Sequence, residues 1–191
     1  VRLRRNGFAV VATCFIFNVF SRGIGDAFTV MVLPLEREFG WSRAQVTGIY
    51  SAYLLVSGLA GPVVGALFGR FGPRVVYTAG CTVAGLALIV VGSLDRLWQF
   101  YLVIGLAVGV GVALIGMVPA SALLARWYAR RLSTMIGIAF SAMGLGALVI
   151  VPIVQQLVVL VEWGGAYRML GWCVIAVAVV QSFAVPWRSF A

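Results

Sequence analysis

The chain has no histidine, and its five acidic residues are few for 191 positions, so the usual general bases and metal ligands are scarce. Its three cysteines, Cys14, Cys81 and Cys173, lie inside apolar stretches without the CxxC spacing of zinc or redox sites. These absences argue against an intramembrane protease of the Ser-His or zinc type. We therefore expect no enzyme, no metal and no cofactor, and we assign packing roles to the cysteines.

Charge is also scarce, and apolar residues are abundant. Charged residues make up 10% of the chain and apolar residues 63%, at a mean hydropathy of +1.09. A soluble domain of this length could not bury so much apolar surface, whereas a lipid bilayer solvates it. The apolar stretches are continuous rather than alternating, which favours membrane helices over barrel strands. The composition predicts an all-α integral membrane protein whose partner is the bilayer and not nucleic acid.

Six stretches are long enough for the ~20 apolar residues that a membrane-crossing helix needs. The connections between them are short, so residues 1–191 are predicted to form a single six-helix transmembrane bundle with no soluble domain. Trp41 to Arg43 after the first helix and Trp127 to Arg130 after the fourth give a faint internal repeat. It indicates two inverted three-helix repeats, as in many transporters. The predicted helices are 7–32, 44–68, 75–93, 98–125, 133–161 and 167–186.

The arginines between the predicted helices indicate the orientation of the chain. Nine arginines fall on one side of the membrane, and the opposite side carries three arginines together with four carboxylates. The positive-inside rule then places both termini in the cytoplasm. The nine are Arg2, Arg4, Arg5, Arg70, Arg74, Arg126, Arg130, Arg131 and Arg188.

Arg22 and Asp26 are charged residues inside the first predicted helix. Arg22 follows Gly7 by 15 residues, or about 22 Å of helix, and an isolated charge at such a depth costs roughly 2.5–3.5 kcal/mol on insertion scales. Their i,i+4 spacing lets the two charges pair on one helix face. One interpretation is a substrate pathway, in which Arg22 binds an anionic group and Asp26 takes up a proton. The other is a self-neutralising pair that only braces the helix.

Further polar and small residues lie at helical spacings. Asn18, Tyr50 and Tyr53 are candidates to line a cavity, although each is equally suited to bond a neighbouring helix. Many glycines of the chain favour close helix packing. In the fifth predicted helix, two glycines and a proline together suggest a helix that can kink. They are Gly144, Gly146 and Pro152.

The run from Gly65 to Arg74 resembles the loop signature of the major facilitator superfamily between its second and third helices, Gly-x-Leu-x-Asp-Arg-x-Gly-x-Arg. The acidic position of the signature is Gly69 here, which weakens the cytoplasmic latch that the family builds with that carboxylate. The matching residues are Gly65, Leu67, Arg70, Gly72 and Arg74.

Two further stretches resemble the monocarboxylate/oxalate–formate branch of this superfamily. One is the run from Phe39 to Arg43, and the other is Trp127 to Arg131 with the glycines and Pro152 that follow. Trp163, with Tyr167 and Gly171, fits the entry to the sixth helix of that branch, although Gly164 replaces its usual arginine. The resemblance covers nearly the whole chain.

The resemblance implies the N-terminal six-helix half of a transporter that moves a small organic anion by alternating access, with a proton as the candidate coupling ion. It also implies a cell-membrane location and a partner, either a missing C-terminal half or a second copy. The alternatives are a non-transporting scaffold or regulatory bundle, and a truncated inactive transporter. The expected cytoplasmic gate comprises Gly65, Arg70, Gly72, Arg74, Arg126, Arg130 and Arg131.

Overall fold

The computed structural model describes residues 2–128 and 130–184, with the side chains of 7–128 and 130–182. Within these ranges the chain is helical apart from short connections, and no strand occurs. The predicted helix end at Pro186 and the arginine at position 188 lie outside the described residues. The elements are α1 (Arg2–Phe39), α2 (Arg43–Val91), α3 (Leu97–Phe100), a π-helical segment (Tyr101–Val108), α4 (Gly109–Ile115), α5 (Met117–Trp127) and α6 (Leu132–Ala184).

The described part of the chain contains four helical stretches that are long and apolar enough to cross a membrane, which confirms the all-α membrane class. The stretch Leu97–Trp127 joins α3, the π-helical segment, α4 and α5, and is called the central run below. The first stretch continues to Phe39, beyond the predicted end at Val32. The four stretches are Gly7–Phe39, Arg43–Val91, Leu97–Trp127 and Leu132–Ser182.

The connection from α1 to α2 follows from its local sequence. Gly40 adopts a positive φ of 66°, and its N–H donates to the carbonyl of Glu36, which closes the end of α1. Ser42 then starts α2 with a capping box, in which its hydroxyl accepts from the backbone N–H of Gln45 and the Gln45 side chain accepts from the Ser42 N–H. These bonds satisfy backbone groups that a helix start leaves unpaired.

α2 reverses direction at Gly72. A straight helix of its 49 residues would measure about 73 Å, far more than the ~30 Å hydrocarbon core. Going along α2 towards Gly72, its residues contact progressively later residues of the central run. Beyond Gly72, they contact progressively earlier residues of the same run, so the two arms have opposite directions. The contacts are Gly48 with Tyr101 and Gly61 with Val118 in the first arm, then Gly80 with Ile115 and Ala84 with Gly111 in the second.

α6 reverses in the same way at Val161 and Glu162, the only residues inside it with non-helical backbone angles. Its first arm runs parallel to α1, since later residues of one contact later residues of the other. Its second arm runs antiparallel to the second arm of α2. The contacts are Val19 with Gly146 and Gly23 with Ile150, then Gly85 with Gly171 and Gly92 with Gly164. At each of these points a glycine allows two helices to approach closely.

The charged residues in the described loops and at the helix ends lie at the two ends of the bundle. At one end, Trp163 donates from Nε1 to the Glu38 carboxylate and packs within an aromatic cluster formed by Phe39, Trp41, Phe100 and Trp163. At the opposite end, the guanidinium of Arg126 lies 5.1 Å from the centre of the Phe68 ring. The acidic residues at the first end are Glu36, Glu38, Asp95 and Glu162.

Candidate functional site

A cavity of about 310 Å³ opens on one face of the bundle, between α1, the first arm of α2, α4, α5 and the first arm of α6. Its polar lining combines one cation with three hydroxyl groups, and the rest of the lining is apolar or glycine. Exposed residues at its rim, such as Leu54 and Met117, make it open rather than enclosed. The polar lining residues are Ser21, Arg22, Tyr53 and Ser57.

Arg22 is the only charged residue in this lining among the described side chains. Its Nε donates to Asp26 Oδ2 at 2.7 Å, and Tyr50 Oη donates to Asp26 Oδ1 at 3.2 Å. The Arg22 side chain is 46% exposed and that of Asp26 is 14% exposed. Within the described part of the chain, no acceptor bonds the two Nη groups of Arg22. Asp26 therefore orients the guanidinium while leaving donors that can bind a carboxylate or another anion.

Tyr50 and Tyr53 belong to a short stack of aromatic rings beside this ion pair. The Tyr50 ring lies 5.6 Å from that of Tyr53 and 5.9 Å from that of Phe28, and both pairs are nearly parallel. Tyr53 is almost buried, and its hydroxyl lies against Gly25, where any side chain would collide with it. The stack holds Tyr50 in a position from which it can bond Asp26.

Asn18 is fully buried and does not line the cavity. Its Nδ2 donates to the carbonyl of Ala139 on α6 at 3.2 Å, and its Oδ1 has no partner among the described residues. This geometry fits the helix-bonding alternative that the sequence left open for Asn18. Burying an oxygen without a hydrogen-bond partner costs free energy, so the Asn18 amide satisfies only part of its hydrogen-bonding capacity between α1 and α6.

The central run is interrupted beside the cavity at Gly116, whose ψ of −143° is not helical. Ser21 Oγ lies 3.5 Å from the carbonyl of Val112, one turn before the break, and a side chain at position 116 would press on that hydroxyl. Pro119 has no N–H to continue the hydrogen-bond ladder. A π-helical segment precedes the break, and such segments often occur at functional sites.

Most cavity-lining residues were not singled out from the sequence, among them Ser21, Ser57, Met117 and Met143. Ser57 follows Tyr53 by one helical turn, and Ser21 follows Asn18 by three residues, so helical spacing was a usable signal for both serines. The methionines carried no such signal, because they lie on α5 and α6 and reach the cavity only through the packing of these helices.

The expected gate residues gather at the basic end of the bundle. The guanidinium of Arg70 lies 5.4 Å from the centre of the Phe71 ring, and Gly72 forms the turn with φ 77° and ψ 173°. No carboxylate of the described residues pairs with the gate arginines. Gly65 lies in ordinary contact with Val118, while Arg74, Arg130 and Arg131 are exposed.

Tyr128 also lies at this end, just beyond α5, with its hydroxyl against Gly7. Burial raises the pKa of Tyr128 above its ordinary value.

The three residues proposed for helix packing and kinking differ in their surroundings. Gly146 lies against the backbone of Val19, where a Cβ would collide with the carbonyl, so it allows α1 and α6 to approach. At Gly144 a Cβ would meet nothing within 4 Å. Pro152 lies in uninterrupted helix, since the non-helical angles of α6 occur only at Val161 and Glu162.

Residues 11–189 match the family model of the Major Facilitator Superfamily, and the chain belongs to this superfamily. It is a multi-pass membrane protein, and this membership places it among transporters rather than enzymes.

Curated relatives narrow the similarity to the monocarboxylate branch and confirm the resemblance predicted from the motifs. The chain is 28% identical to human monocarboxylate transporter 12 over 180 residues, which is 94% of this chain and 35% of that protein. It is 32% identical to human monocarboxylate transporter 11 over 165 residues, or 86% of this chain and 35% of that protein. Monocarboxylate transporter 13 of Bos taurus is 31% identical over 164 residues, which is 86% of this chain and 38% of that protein. The chain thus spans little more than a third of the length of these relatives.

Proposed function

We propose that the chain forms one half of a secondary transporter that carries a small, monocarboxylate-like organic anion by alternating access. The observation that carries this proposal is Arg22, which lines the open cavity with both Nη groups unbonded while Asp26 and Tyr50 hold its Nε side. A guanidinium with both Nη groups free binds a carboxylate through paired, charge-assisted hydrogen bonds. The similarity to monocarboxylate transporters agrees with this chemistry.

In this proposal the chain crosses the membrane six times, as two inverted three-helix repeats. Each arm of α2 and α6 then crosses separately, because each helix turns back on itself at one point. Cys14 meets Ala120 and Ser21 meets Val112, so α1 and the central run have opposite directions. Gly72 follows the start of α2 by 29 residues and Glu162 follows the start of α6 by 30, which supports a common origin of the two units.

The bundle is oriented with its basic end, and both termini, in the cytoplasm of a cell whose plasma membrane holds the protein. Support comes from the separation of the described loop charges, with the gate arginines at one end and the loop carboxylates at the other. The arginines of the basic end form the cytoplasmic gate and meet acidic partners on the other half of the transporter.

A proton accompanies the anion in this mechanism. Arg22 and Asp26 neutralise each other in the empty cavity, so a bound carboxylate leaves one excess negative charge at membrane depth, where charge is expensive. Protonation of Asp26 removes this charge, and the bound anion meanwhile replaces Asp26 as the partner of Arg22. The site then crosses between its two open states without net charge.

A second helical unit covers the face on which the cavity opens. Most buried glycines of the bundle lie against another helix, but Gly58, Gly137 and Gly144 would place a Cβ in open space. These three lie on the first arms of α2 and α6, and Gly58 also lines the cavity. Small residues at such positions allow a further helix to approach. The unit is supplied by a further part of a longer polypeptide or by a second copy of this chain.

Uptake of radiolabelled monocarboxylates into proteoliposomes that contain the chain tests the proposal, with equilibrium binding to the same preparation as a second readout. Arg22→Gln should weaken binding and uptake by about tenfold or more, because it removes a charge-assisted bond. Asp26→Asn should keep anion exchange but abolish its stimulation by an inward proton gradient.

Two variants at the acidic end, Arg37→Gln and Asp95→Asn, make the same chemical changes away from the cavity and should leave both readouts unchanged. If Arg22→Gln and Asp26→Asn lower only the abundance of the protein, with binding per molecule intact, the pair is a structural brace. Because uptake requires the second unit, binding is the deciding readout, and a wild-type chain that binds no monocarboxylate would favour the scaffold alternative.

A further inference from the structure

The cavity around Arg22 is larger and more apolar than a short carboxylate requires. Its volume is about 310 Å³, whereas a dry cavity of roughly 150 Å³ already holds a benzene molecule. Beyond the polar groups near Arg22, its walls are formed by side chains such as Leu54, Val112 and Val118. An acid of two or three carbon atoms would leave most of this surface unfilled.

The apolar walls also contain groups that contact aromatic rings favourably. Tyr53, Met117 and Met143 line the same cavity as Arg22. Sulfur atoms of methionine make favourable contacts with aromatic edges, and flexible methionine side chains adapt to ligands of different shape. Tyr53 already stacks on Tyr50, so a bound ring would meet only the part of Tyr53 that remains exposed to the cavity.

The polar groups of the lining are few, and most of the remaining lining is apolar or glycine. Arg22 supplies the charge and the free donors, whereas the hydroxyls of Ser21 and Ser57 already donate to the backbone carbonyls of Val112 and Leu54. No second charged side chain lines the cavity among the described residues. A ligand that matches this distribution has one carboxylate and an apolar body, without a second charge.

From this distribution we propose that the substrate class is the amphipathic monocarboxylates whose apolar body is the size of a six-membered ring, with aromatic bodies preferred. This inference rests on the proposed function, since it takes Arg22 as the carboxylate-binding residue. The carboxylate bonds the Nη groups of Arg22, and the ring lies between Tyr53 and the two methionines.

Gly58 provides a specific test, because it lines the cavity and a Cβ there meets nothing within 4 Å. Gly58→Leu should therefore narrow the cavity without disturbing the packing of the described helices against one another, and binding is compared in the chain without a second unit because Gly58 also lies on the face proposed for that unit. Gly69→Leu is the matched control: it lies on the same helix, also meets open space, and is outside the cavity.

Equilibrium binding to the chain in nanodiscs would compare radiolabelled propionate, phenylacetate and cyclohexylacetate, which carry the same charge. We expect phenylacetate to bind about tenfold or more tightly than propionate, because the ring is removed from water. It should exceed cyclohexylacetate by about threefold through sulfur and ring contacts. Gly58→Leu should weaken phenylacetate by about tenfold and change propionate less than twofold, while Gly69→Leu changes neither.

Equal affinities for propionate and phenylacetate, or an equal loss of both in Gly58→Leu, would overturn this inference and leave the proposed function intact. Equal binding of phenylacetate and cyclohexylacetate would overturn the aromatic preference. If none of the three acids binds, the proposed function itself fails.

Discussion

Two residues with nearly the same backbone conformation lie where α2 and α6 turn back. Gly72 has φ 77° and ψ 173°, and Glu162 has φ 61° and ψ 171°. This region of backbone space is open almost only to glycine, because a Cβ clashes with the neighbouring peptide. At the first turn the sequence supplies glycine, whereas at the second a glutamate occupies the strained conformation.

Replacing the glycine at the first turn should lower the stability of the protein, and introducing a glycine at the second turn should raise it. We expect Gly72→Ala to lower the free energy of unfolding by about 1–3 kcal/mol through backbone strain, since no neighbour would contact the new methyl group. Glu162→Gly should raise it by about 1 kcal/mol because it relieves the same strain. Titration with SDS in mixed micelles, followed by circular dichroism, measures both changes.

Controls at regular helical positions separate strain from simple helix propensity. Gly69→Ala should be neutral or stabilising and Gln156→Gly destabilising by up to about 1 kcal/mol, the reverse of the two turn variants. If Gly72→Ala changes the free energy of unfolding no more than Gly69→Ala does, the backbone conformation of the turn does not require glycine at position 72.

The two turns also show what could be predicted for single residues. Gly72 was singled out because it belongs to a recognisable loop motif, but Glu162 carried no signal, since glutamate rarely adopts a positive φ. Arg22 and Asp26 were predicted to pair from their spacing alone, and they do. The contribution of Tyr50 to this pair depends on how α1 and α2 pack, which spacing within one helix does not reveal.

At the scale of elements, residues that carried the family resemblance hold together α1, the connection to α2, α3 and α6. Phe39 and Trp41 stack with their ring centres 4.4 Å apart, and Trp41 also meets Phe100 at 5.3 Å. Trp163 completes the aromatic cluster and bonds Glu38. These motif residues therefore contribute to stability at the acidic end and lie away from the cavity.

Trp163 should be important for the stability of this cluster. Trp163→Phe keeps an aromatic ring but removes the N–H that bonds Glu38, and we expect the free energy of unfolding to fall by about 1 kcal/mol. Trp163→Ala should cost more, because it also leaves a space among three rings. The same SDS titration measures both changes.

Trp172→Phe is the matched control, because Trp172 is 63% exposed on the second arm of α6. It should change stability by less than about 0.5 kcal/mol. Equal effects of Trp163→Phe and Trp172→Phe would show that the bond to Glu38 contributes nothing measurable.

At the scale of the whole molecule, composition was enough to predict the membrane class and helical secondary structure. The turns of α2 and α6 lie at the breaks between helices predicted from hydropathy and loop residues, but these signals do not reveal which helices meet at the cavity or where they approach one another. Those features depend on close contacts such as Gly85 with Gly171, which join segments far apart in the chain. The break at Gly116 was also hidden, since glycine is common throughout this chain.

The face around the cavity supports a prediction about assembly. If a second copy covers it, donor- and acceptor-labelled chains in lipid vesicles should show energy transfer that rises with protein density. Gly144→Trp should weaken this association by about tenfold, because a large side chain would stand where a neighbouring helix approaches. Ala176→Trp places the same side chain at an exposed position on the second arm of α6 and should have no effect.

The outcome distinguishes the two possible sources of the second unit. Energy transfer that Gly144→Trp lowers and Ala176→Trp leaves unchanged would assign the face to a second copy. Absence of transfer at every density would contradict pairing between copies. The proposed second unit would then have to come from a further part of a longer polypeptide, since the exposed Arg22 and the open glycines border a cavity that is open on one side.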